Sequence, residues 1–134
     1  MNSNSTRFGT WLLVVSAIGL MPIALSYGTD PSSWIPRLFG IDAQPVNARH
    51  IFRAVMGLYF GMIVLWLLGA FRPSLRQAAL ISLITFMYGL AAGRLVSFIL
   101  DGLPTSPLLI VYFILEASIG ITGQVYYRRC YSKF

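Results

Sequence analysis

Four apolar stretches, each long enough to cross a membrane, leave this chain few ways to fold. They run from about Phe8 to Tyr27, Asn47 to Phe71, Gln77 to Leu100 and Leu108 to Tyr127. Each supplies the ~20 apolar residues a helix needs to span the hydrocarbon layer. Lipid offers no partner to a backbone N–H or C=O, so each stretch must close its own hydrogen bonds as a helix. The turns "RPSLR" and "DGLPTSP" between the last three are so short that consecutive helices must run antiparallel. The expected fold is all-α, an antiparallel four-transmembrane-helix bundle forming a single domain over residues 1–134. Composition agrees: 57% of residues are hydrophobic and 10% charged, against roughly one-quarter charged in an ordinary soluble domain.

The first stretch contains "WLLVVSAIGLMPIAL", in which Pro22 is tolerable within a membrane and is expected to kink the end near Tyr27. A signal peptide is its rival reading, because one arginine precedes the apolar core and "ALS" resembles a cleavage site. The segment is expected to be retained as a span. Its following loop, "GTDPSSWIPRLFGIDAQPV", holds three prolines plus Trp34, Leu38, Phe39 and Ile41, a composition suited to a short amphipathic cap lying along the membrane interface.

The formal charge of +6 does not point to nucleic acid, because the basic residues sit at the ends of apolar runs instead of along one face. They control topology and meet the anionic headgroups of membrane lipids. Arg7, Arg72, Arg76, Arg128, Arg129 and Lys133 fall at one end of the bundle and Arg37 and Arg49 at the other, a six-to-two split that places both termini in the cytoplasm. Tyr126, Tyr127 and Tyr131 beside Arg128 and Arg129 read as an interfacial anchor. Cys130 is the only cysteine, so neither an intrachain disulfide nor a CxxC metal site can form.

Three charges lie where lipid should exclude them. Arg53 falls about two turns into the second span, Glu116 about two turns into the fourth, and Arg94 inside "LAAGRLVSFILDGLP" of the third. Counting ~1.5 Å per residue from the ends opposite the termini puts all three in one layer. Intramembrane charges face a bundle interior and pair with one another. Glu116 is the only carboxylate within a span, which makes it the natural partner of Arg94, of Arg53, or of both, while Asp101 shares a face with Arg94 and can take a second arginine at the rim. Small residues accompany these charges: Gly57 and Gly61 after Arg53, Gly89 and Gly93 before Arg94, and Gly120 and Gly123 after Glu116. Such stripes let helices pack closely, so Gly57, Gly61, Gly89, Gly93 and Gly120 are expected at helix contacts around a polar centre.

Such a network can fix helix register without binding anything. It can equally form a ligand site, since two arginines against one acid leave positive charge over. Proton transport through Glu116 is a third reading, opposed by the two nearby cations, which favour its charged form. Catalytic options are thin. His50, the only histidine, sits near Asn47, Arg49 and Arg53 at a span mouth, where an anchoring role is commonest. No metalloprotease, nucleophile-elbow, phosphate-loop or paired-carboxylate motif occurs, and no metal site or cofactor is indicated.

The segments "HIFRAVMGLYFGMIVLWLLGAFRP", "FMYGLAAGRLVSFILDGLP" and "YFILEASIG" resemble the bacterial membrane proteins grouped as domain of unknown function 4345. The resemblance runs from "SYG" after the first span to Gly120, and the positions that carry it are Arg53, Gly57, Tyr59, Gly93, Arg94, Asp101, Gly102 and Glu116. It implies a small four-helix protein of the bacterial inner membrane and brings no activity with it. The expected role is therefore a binding or accessory subunit. It would hold an anionic or amphiphilic lipid-like molecule through Arg94 and Arg53, with Glu116 steadying Arg94 and Tyr59 and Tyr112 lining the pocket, or dock on a larger membrane complex or on further copies of itself. The alternatives are a small proton-coupled transporter and a membrane enzyme subunit acting on a lipid-like substrate near His50.

The orientation is open to direct test. With Cys130 replaced and single cysteines placed at Ser33 or Ser132, an impermeant maleimide applied to intact cells should label position 33 and not position 132.

Overall fold

The computed structural model describes residues 3–131, and every regular element among them is α-helical. Four long helices form the bundle: α1 (Ser3–Gly28), α3 (Val46–Phe71), α4 (Pro73–Leu100) and α5 (Pro107–Tyr131), with a short α2 (Pro31–Phe39) between the first two. All four long helices are apolar enough to cross a membrane, and the protein is an all-α, multi-pass membrane protein. α1 runs unbroken through Pro22. The turn expected over "RPSLR" shrinks to Arg72 alone, because Pro73 opens α4, where its missing N–H and fixed φ cost a helix start nothing.

The helices follow one another around the bundle in the order α1, α3, α4, α5. α1 packs most extensively on α3, and α1 and α5 touch only sparingly, so the bundle has a seam. At the end carrying the termini the seam is shut: the Tyr126 hydroxyl donates to the Ser5 carbonyl at 2.8 Å, and the Tyr126 ring presses on Gly9, where no larger residue fits. At the far end α2 lies across the bundle. It buries Pro31, Ile35 and Phe39 and leaves Trp34 and Arg37 exposed, the amphipathic pattern expected of the cap. Gly40 ends α2 in the left-handed region at φ 69° and donates its N–H to the Pro36 carbonyl, as glycine does after so many helices.

Small side chains on α1 (Ala17, Ala24) and large ones on α3 (Tyr59, Ile63, Trp66) are buried in one core, and Gly28 of α1 meets Met56 of α3. Gly28 is indispensable to this contact, since any side chain there would strike Met56. α3 thus buries the stripe Tyr59, Ile63, Trp66 and Ala70 and turns Arg53, Gly57 and Gly61 outward. Close packing by glycine occurs at Gly120 as expected, and otherwise falls at glycines not expected there. A Cβ added at Gly57, Gly61, Gly89 or Gly93 would meet nothing within 4 Å, whereas one at Gly69 would strike Ala79, one at Gly120 would come within 2.9 Å of Tyr88 and one at Gly123 within 3.0 Å of Ile84. The reason lies in the partners, because the aromatic stripe of α3 fills the α1 and α4 interfaces and leaves the Gly57–Gly61 face to lipid.

Arg76 is 6% exposed, although its place among the end charges suggested contact with headgroups. Its guanidinium donates to the carbonyls of Ala70 at 2.8 Å and Gly69 at 3.4 Å and to the Thr10 hydroxyl at 2.9 Å. The last carbonyls of α3 have no helical donor, and Arg76 supplies one while tying α3 and α4 to α1. Trp66 donates from its indole N–H to Ser82 at 3.1 Å, a second polar tie between α3 and α4.

Gly69→Ala should overpack the α3–α4 contact and cost about 1–3 kcal/mol, while Gly61→Ala should leave stability unchanged or raise it by up to about 1 kcal/mol. Thermal unfolding of both variants in detergent micelles would show the contrast.

Candidate functional site

α4 and α5 form a hairpin whose turn begins at Gly102, held at φ 87° where a side chain would be strained. This places Arg94, two turns before the end of α4, opposite Glu116, in the third turn of α5. The pair forms a fork: Arg94 Nε donates to Glu116 Oε2 at 2.8 Å and Nη2 to Oε1 at 3.0 Å. Both side chains are largely covered, at 18% and 10% exposure. A bidentate guanidinium–carboxylate contact is the geometry that best repays the desolvation of both ions. Tyr112, one turn before Glu116, sets its ring 5.6 Å from the guanidinium carbon of Arg94, within reach of a cation–π attraction.

Arg53 does not join this pair. It is exposed on α3 and donates from Nε to the Gly28 carbonyl at 3.3 Å. It also lies close enough to Asp30 to add a small pull on that carboxyl, which the hydroxyls of Ser32 and Ser33 chiefly hold below the usual carboxylate range. Nor does Asp101 take an arginine; it accepts the Ser97 hydroxyl at 2.6 Å. His50 is exposed in the second turn of α3 and makes no side-chain hydrogen bond among the described residues. No cluster of three metal-binding side chains occurs among the described residues.

Two clefts meet at Arg94. One of about 600 Å³ opens between α3 and α4 at the α2 end; Val55, Gly89, Gly93 and Phe98 wall it, and Arg94, Ser97, Asp101 and the phenols of Tyr27 and Tyr59 are its polar groups. A narrower one of about 240 Å³ fills the seam between α1 and α5, from Ser16 and Gly19 on one side to Tyr112 and Glu116 on the other. Tyr59, Leu90 and Arg94 form the wall between them. Gly57, Gly61 and Gly120 line neither cleft, whereas the openness around Gly89 and Gly93 creates the larger one. Tyr27, at the end of α1, was not among the expected site residues. It lines the larger cleft and packs edge-on against Tyr59 at 5.5 Å between ring centroids. Its place in the sequence marked it only as the end of the first span. Tyr88 and Gln124, joined by a hydrogen bond between α4 and α5, were likewise not among the expected site residues.

Removing either member of a buried ion pair leaves the other uncompensated and costs about 3–5 kcal/mol. Arg94→Leu and Glu116→Leu should each destabilise on that scale, and the double variant should recover much of the loss. A double-mutant cycle by chemical denaturation in micelles measures the coupling.

Comparison with curated proteins and with solved structures found no match. A family model does match, over residues 8–127, from the first turns of α1 to the last turn of α5. That span takes in Arg94, Glu116, both clefts and the cap, and the chain therefore belongs to the family described as domain of unknown function (DUF4345).

Proposed function

We propose that this protein is a binding subunit of the bacterial inner membrane that takes one lipid-like amphiphile from the bilayer. It acts alone or as an accessory part of a larger membrane complex. The observation that carries this reading is the cleft between α3 and α4. Its volume of about 600 Å³ and its apolar wall with a few polar groups gathered at one place, Arg94, Ser97 and Asp101, are the usual composition of a small-molecule site. The tail would lie along Gly89 and Gly93, which leave room for it, and the polar head would reach Arg94. With both termini in the cytoplasm, as the six-to-two split of basic residues favours, this cleft belongs to the outer half of the bilayer. Arg53 stands outside the cleft and has no part in holding the head.

Filling the cleft without disturbing the fold tests the proposal. A Cβ at Gly93 would point into open space, with nothing within 4 Å, so Gly93→Leu should keep the melting temperature of the wild type in micelles. Native mass spectrometry of gently extracted protein should find a small molecule on the wild type and at most a trace on the variant. Equal occupancy in the two, or none in the wild type, would overturn the reading.

A further inference from the structure

Arg94 gives Glu116 only part of its hydrogen-bonding capacity. A guanidinium carries five N–H donors, and the fork to Glu116 uses Nε and one hydrogen of Nη2. Nη1 makes no direct hydrogen bond of good geometry to a protein acceptor among the described residues, and none of their buried side-chain nitrogens lacks a partner. Nη1 is therefore open to a cleft, where the Tyr27 hydroxyl stands beside the guanidinium as a neutral oxygen that a ligand carbonyl would join or replace.

The charge around those donors limits what they can bind. Arg94 is the one cation on either cleft among the described residues, and Glu116 neutralises it. Asp101 adds a further carboxylate on the larger cleft. A carboxylate or phosphate head seated at Nη1 would share one cation with Glu116 and face Asp101 as well, so its desolvation would go largely unrepaid. An uncharged carbonyl oxygen has a far smaller desolvation cost and offers two lone pairs to two N–H groups. Tyr27, Phe52, Tyr59 and Phe98 on the same cleft present aromatic faces and edges to whatever carries that carbonyl.

We propose that Arg94 donates to the carbonyl oxygen of an uncharged amphiphile, an ester or a quinone-type ketone, and that the Arg94–Glu116 pair selects against anionic heads. This rests on the cleft reading above and narrows it to a head chemistry, away from the anionic ligand that two arginines sharing one acid had suggested.

The test is a competition among three probes with the same hexadecyl tail: methyl heptadecanoate, a hexadecyl-substituted benzoquinone and hexadecyl phosphate. Each is offered in micelles to the delipidated full chain and scored by native mass spectrometry. The wild type should favour at least one carbonyl probe over the phosphate by about tenfold or more, the scale of one well-made hydrogen bond. Which of the two wins separates an ester source from a quinone source. Glu116→Gln leaves Arg94 with its full charge and should shift the preference toward the phosphate. Phosphate equal to or better than both carbonyl probes on the wild type would overturn the head assignment while leaving the cleft standing. Binding of no probe would sink both, and the wild-type series decides even if Glu116→Gln fails to fold.

Discussion

A fork between one guanidinium and one carboxylate, both largely covered, holds the last two spans of this protein together. Arg94 and Glu116 are each intolerable to lipid alone, and each becomes tolerable only in the other's presence. That requirement fixes the axial register of α4 against α5 and the rotation that turns Glu116 and Gly120 toward α4. Tyr112 and the Tyr88–Gln124 hydrogen bond extend the same seam in both directions. The clefts on either side exist because a long, planar, charged side chain occupies the middle and small or absent side chains surround it.

Elsewhere the bundle is held by different means. α1 and α3 join through small residues against large aromatic ones, and their ends are tied by Arg76, whose donors satisfy the carbonyls that close α3. Apolar burial contributes little between helices that could as well face acyl chains, so backbone approach and satisfied polar groups take over. Two arginines accordingly perform unlike tasks. Arg76 is a cap whose Nε and Nη2 go to backbone carbonyls and a hydroxyl, whereas Arg94 gives the same two nitrogens to one carboxylate beside an open space.

The span count, their antiparallel order and the amphipathic cap were legible because hydropathy and turn length admit no other arrangement of four apolar runs. Pairing of Arg94 with Glu116 could be read too, since only one acid lies within a span. The rotation of α3 could not. Arg53, Gly57 and Gly61 mark one stripe, Tyr59, Ile63 and Trp66 another, and nothing local says which faces inward; the fit of the aromatics into the small residues of α1 decides it. The same ambiguity hid the packing glycines, since Gly28 and Gly69 matter through Met56 and Ala79, distant in sequence or across a turn. Arg76 looked like an interfacial charge because its spacing from the unsatisfied end of α3 becomes visible only once Pro73 is known to start the next helix.

The fork also constrains how the chain can be made. Arg94 precedes Glu116 by 22 residues, so during synthesis it leaves the ribosome well before its partner. No earlier span contains a carboxylate, since Asp30 and Asp42 lie in the loop before α3. For that interval α4 is a helix with an unanswered cation at membrane depth, poorly suited to partition into lipid by itself. Entry of α4 together with α5 removes that cost, because the hairpin brings to Arg94 the one acid that answers it.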